Sequence, residues 1–75
     1  MDITIVLHEV REFGAECVWK LKEECLTAPD SIILAYLKTL VGEKEFEIIL
    51  RYKDLMIEEF RRSVKEELDF LNNRP

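Results

Sequence analysis

A chain of 75 residues with two Gly, two Pro and two Cys has room for one small domain and too few thiols for a disulfide framework. Its net charge of −5, from 11 Lys+Arg against 16 Asp+Glu, argues against a dedicated nucleic-acid binder, which needs a basic face to displace phosphate counterions. A hydrophobic fraction of 48% beside 36% charged residues argues against disorder and fits helices with sharply divided faces.

Pro29 and Gly42 are the strong interior breaks, and they divide the chain into three segments. The expected fold is an all-α, three-helix domain, long–short–long, with helices over about 2–26, 28–41 and 43–72. It spans 1–75 as one domain, with 71–75 as a frayed tail. In the first segment Ile3, Leu7, Val10, Gly14, Cys17, Leu21 and Cys25 recur at steps of three and four, and Val6, Phe13 and Val18 widen that face. Gly14 inside the face costs about 1 kcal/mol of helix propensity and lets a second helix approach closely. The β-branched residues of 3–7 also suit a strand.

The second segment opens with Thr27-Ala28-Pro29-Asp30, the pattern of a capping box with Asp30 in place of Glu or Gln. Ile33, Leu37, Leu40 and Val41 form its core row, broadened by Ile32, Leu34 and Tyr36, and Gly42 is placed to close the helix in the left-handed conformation. In the third segment Phe46, Ile49, Leu50, Ile57, Phe60, Val64, Leu68 and Leu71 keep a helical row, although 46–52 alternates enough for a strand. Opposite that row stand Glu47–Arg51, Glu58–Arg62, Arg62–Glu66 and Lys65–Asp69, four-residue pairs that support a solvated helix face. Short connections imply that neighbouring elements reverse, and the two long helices are expected to pair antiparallel across the short one.

Each long helix keeps a second apolar row. Ile5, His8, Glu12, Ala15, Trp19 and Leu26 line the far side of the first; Ile48, Tyr52, Leu55, Met56 and Phe70 do so on the third. A lone core in a chain of this size supplies only about 3–5 kcal/mol, so a second copy is the expected partner. The expected interface comprises Ile5, His8, Ala15, Trp19, Leu26, Ile48, Tyr52 and Leu55, with Trp19 as anchor because Trp is enriched in binding hot spots.

Other chemistries find little support. Cys17 and Cys25, eight residues apart on one helix, would lie about 12 Å from each other, too far for a shared metal or a disulfide. No metal site, cofactor or catalytic residue is expected, and the chain is read as a non-enzyme. His8 is lone and pairs only with Glu12, while no Glu is followed by His three residues later as bundle metal sites require. Two isolated glycines cannot build a phosphate cradle. A helix-turn-helix drawn through 31–55 would present Glu43-Lys44-Glu45 to phosphate and be repelled. Asp30-Ser31 resembles the attachment site of acyl carrier proteins in two residues only; Ala28-Pro29 and the uncharged 32–37 depart from that pattern. Residues 3–7 lack the basic start and length of a secretory signal, and no run approaches a membrane span. The chain is therefore expected to be cytoplasmic, with reduced thiols and neither nucleic acid nor membrane as partner. The expected function is a small interaction module acting as a homodimer; the alternative is a subunit or assembly chaperone of a larger complex, and an acidic nucleic-acid mimic ranks third.

Overall fold

The computed structural model describes residues 2–21 and 24–73, and five helices occupy nearly all of them. They are α1 (Ile3–Leu21), α2 (Glu24–Thr27), α3 (Asp30–Leu40), α4 (Glu43–Arg51) and α5 (Lys53–Asn72). The class is all-α: no strand occurs among the described residues, and 3–7 and 46–51 are both helical. The expected count of three gives way to five, because the first segment holds α1 and α2 and the third holds α4 and α5.

The break between α4 and α5 falls at Tyr52, with φ −114° and ψ 39°, and involves neither Gly nor Pro. Its cause is visible in the row it interrupts. At about 100° per residue, one straight helix would hold Lys53 on the same face as Ile49, Met56 and Phe60. Those three side chains are fully or almost fully buried. An ammonium among them would lose its water without a partner. The bend leaves Lys53 exposed, while Tyr52 N–H still donates to Ile48 O (3.1 Å) and Met56 N–H to Tyr52 O (3.0 Å).

Two caps differ from expectation. Thr27 ends α2, its hydroxyl donating to Glu24 O (3.2 Å), and Pro29 occupies the N-cap of α3 without a side-chain bond. Asp30 instead accepts from Arg61 at 2.5 Å, which ties the start of α3 to α5. Gly42 is the N-cap of α4 at φ −75°, so no left-handed residue closes α3; Val41 at φ −120° does. The short link runs extended there and has no need of a positive φ.

The long helices run parallel. Arg11 meets Glu59 and Trp19 meets Glu67, eight residues further along each helix, and Asp2 and Ile3 at the start of α1 share a groove with Tyr52 at the start of α5. The expected antiparallel pairing is thus overturned, because two reversals of the chain, before and after α3, restore its direction. Their crossing is tight. A Cβ on Gly14 would stand 2.8 Å from the Phe60 carbonyl oxygen and 2.9 Å from Ser63 Cβ. The Ser63 hydroxyl donates to the Arg11 carbonyl across the same crossing.

Around this seam the core gathers Val6, Val10, Cys17 and Val18 of α1, Cys25 of α2, Ile33 and Leu37 of α3, Ile49 of α4, and Met56, Ile57, Phe60 and Val64 of α5. Tyr36 meets Phe60 edge-on, with ring centroids 6.1 Å apart. Met56, grouped by its spacing with the second row, belongs wholly to this core; Leu21 and Leu50, placed on core rows by period, are exposed. The molecule measures 40 × 22 × 18 Å and exposes 5233 Å². A typical folded monomer of 8.9 kDa exposes roughly 4,800 Å².

Candidate interaction surface

α1 presents to α5 not only its core row but the flank beside it. On that flank Arg11 reaches over the seam, with Nη1 2.9 Å from Glu59 Oε2 and Nη2 2.8 Å from Glu66 Oε2. The hydrogen bond to Glu59 holds the Arg11 guanidinium protonated beyond its usual range; burial opposes this and Glu66 reinforces it. One guanidinium with two carboxylates fixes the register of the helices through charge-assisted bonds.

Two turns further on, Trp19 Nε1 donates to Glu67 Oε2 at 2.8 Å. The indole's polar atom is satisfied while its ring stays 60% exposed. Phe70, one turn beyond Glu66 and two beyond Ser63 on α5, is 61% exposed. Between the helices runs an open groove of about 380 Å³, lined by His8, Arg11, Glu12, Ala15, Ser63, Glu66, Glu67 and Phe70. His8 and Glu12 pair along its edge at 3.0 Å. The groove is lined mainly by polar side chains, with Ala15 and Phe70 its apolar part and the exposed indole of Trp19 beside it.

The structure sorts the eight expected interface residues into separate places. His8 and Ala15 line this groove and Trp19 stands at its border through Glu67. Ile48 and Tyr52 line a second groove, of about 580 Å³, where α4 meets Asp2 and Ile3. Tyr52 and Leu55 flank the bend itself, together with Leu50. Ile5 is exposed on the back of α1. Leu26 is exposed on α2 and does not continue the row of Trp19, because α1 ends at Leu21; its carbonyl accepts from Arg61 at 3.4 Å. Phe70 was missing from the expected set. Its place beside the α1 flank follows only once the helices are known to run parallel.

The charged face of α5 is not a free ladder. Glu58–Arg62 forms as spaced (3.4 Å), but Arg62 also takes Glu59, and Glu66 turns to Arg11. Across α1 and α4, Glu45 pushes the Glu9 carboxyl above its ordinary value, first through a hydrogen bond to the protonated form, with burial and the charges of Glu45 and Glu12 adding and His8 opposing. Among the described residues no three His, Cys, Asp or Glu side chains converge as metal ligands, and no helix is long and apolar enough to cross a membrane. No protein-family model matches the chain, and comparisons with curated proteins and with solved structures find no significant match.

Proposed function

We propose that this chain is a small non-enzymatic protein–protein interaction module, an adaptor, regulator or inhibitor, that acts in the cytoplasm as a helical homodimer. The observation that carries the reading is the pinned, exposed indole of Trp19 beside the groove that Phe70 borders. A hydrogen-bonded tryptophan gives up little rotamer freedom when its ring is covered, so it is prepared as an anchor. A second copy can offer the same indole and groove across a two-fold axis. An interface of standard size buries about 800 Å² on each copy. The acidic mimic finds less support, because Glu59, Glu66 and Glu67 are engaged by Arg11 and Trp19 instead of forming an open acidic row.

Sedimentation equilibrium at micromolar concentration tests the reading. The expected mass is twice 8.9 kDa. Trp19→Glu sets a carboxylate next to Glu67 and should shift the mass toward one chain while leaving helicity unchanged. A wild-type monomer that binds hydrophobic dye strongly would transfer this surface to a different protein, the role of a subunit or assembly chaperone.

A further inference from the structure

Cys17 and Cys25 meet in the fold with their sulfurs 2.8 Å apart, where a single continuous helix would separate them by about 12 Å. Cys17 belongs to α1 and Cys25 to α2, and α2 sets Cys25 back against Cys17. Both are free thiols, and both are buried in the core. The elements carrying them are held independently of the sulfurs. α1 is locked to α5 at Gly14, and Arg61 grips both the Leu26 carbonyl and Asp30 on either side of the short connection to α3. A disulfide bond is about 2.05 Å long, so closure requires the sulfurs to approach by less than about 1 Å. A cavity of about 110 Å³ lies over the pair, lined by Leu21, Ile32, Tyr36 and Phe60 as well as the two cysteines.

We propose that Cys17 and Cys25 are a modification site: an intramolecular disulfide, formed reversibly by a low-molecular-weight disulfide oxidant R–S–S–R, that staples α1 to α2. One cysteine thiolate attacks the oxidant, forming a mixed disulfide and releasing R–S⁻. The second thiolate then attacks the cysteine sulfur of that mixed disulfide, forming the Cys17–Cys25 bond and releasing the second R–S⁻. The two thiol protons end on two R–SH, and two electrons pass from the cysteine pair to the oxidant. Burial, and the hydrogen bond to Cys25, push the Cys17 thiol up to about 12, so its thiolate is scarce in the closed fold. Exchange is therefore slow and proceeds through opening of α2, a single turn of four residues. The cavity over the cysteine pair shares no lining residue with the groove beside Trp19.

Cysteines so near in sequence also close a loop in an unfolded chain, so bond formation alone does not distinguish the native geometry. The distinguishing quantity is the preference of the fold for the bond. The full chain is equilibrated with reduced and oxidised glutathione, from both directions, once in buffer and once in concentrated urea, then quenched in acid, alkylated and weighed. The expected product is about 2 Da lighter than the reduced chain and takes no alkyl group. The native ratio of disulfide to dithiol should exceed the unfolded ratio at least tenfold. By linkage the oxidised form is then more stable by about 1.4 kcal/mol and melts at a higher temperature. A native ratio no higher than the unfolded one overturns the proposal. So does oxidation that yields only glutathione adducts or chain-to-chain crosslinks.

Discussion

Gly14 and Gly42 are the chain's two glycines, and they mark regions held together in opposite ways. At Gly14 the backbones of α1 and α5 come so close that a Cβ would press on the Phe60 carbonyl oxygen at 2.8 Å. At Gly42, between α3 and α4, a Cβ would meet nothing within 4 Å, and the backbone is ordinary extended chain. The first glycine is there for space and the second for neither space nor conformation. The seam of parallel long helices is close-packed and intolerant, whereas the α3–α4 link only has to be short.

The sharpest way to break that contrast is to add side-chain volume at the seam. In Gly14→Ala, improved helix propensity contributes about 1 kcal/mol, while forced separation of two packed helices costs about 1–3 kcal/mol. The obstructing atom is a backbone carbonyl, which cannot swing aside as a long side chain would. That places the cost in the upper half of its range, about 2–3 kcal/mol, so a net loss of about 1–2 kcal/mol is expected in urea denaturation, with the slope unchanged. Gly14→Leu should exceed the stability of so small a domain and yield an unfolded chain by circular dichroism. A Gly14→Ala protein as stable as wild type would show that the two helices do not meet at this distance.

That seam was partly legible in the chain itself. The row Val6, Val10, Gly14, Cys17 has helical period, and a glycine inside it points to a close crossing, as found. His8–Glu12 also forms as its four-residue spacing requires. Periodicity reports which face of a helix is apolar, but not which helix covers it or where the axis bends. For that reason the parallel direction of α1 and α5, the bend at Tyr52 and the meeting of Cys17 with Cys25 all lay beyond it. The bend has a signal in hindsight: Lys53 occupies a position where the row demands an apolar residue. The apolar surface was legible residue by residue, since Ile5, Trp19, Leu26, Tyr52 and Leu55 are all exposed. Their grouping was not, because grouping depends on the helix directions.

At the α3–α4 link the same substitution should act with the opposite sign. Gly42→Ala meets open space at φ −75° and ψ 168°, a conformation that alanine adopts without strain. It restricts the unfolded chain, worth about 0.4–1 kcal/mol, while alanine is a poorer N-cap for α4 than glycine, so a smaller net gain is expected in the same urea experiment. A loss there of the size expected at Gly14 would mean that α4 packs against the link more closely than the open space around Gly42 implies.

The smallest expected effect comes from the contact of α4 with α1, where two carboxyls face each other. The Glu9 carboxyl is raised above its ordinary value by Glu45, so the fold favours its protonated form. A group raised in the folded state contributes stability below its unfolded pKa and loses that contribution as the pH climbs through the raised value. The charge of Glu45 disfavours the charged form of Glu9 across this contact. Glu45→Gln removes the repulsion and can donate to the Glu9 carboxylate through its amide, so it should stabilise the protein at pH 7 by about 0.2–0.5 kcal/mol, the scale of exposed like-charge pairs. Titrations of the two proteins from neutral pH into the acid range should converge and then cross, since the wild type alone regains its carboxyl–carboxylate hydrogen bond as Glu9 takes a proton. Parallel curves would show that Glu9 and Glu45 do not sense each other, leaving apolar contact alone to hold α4 against α1.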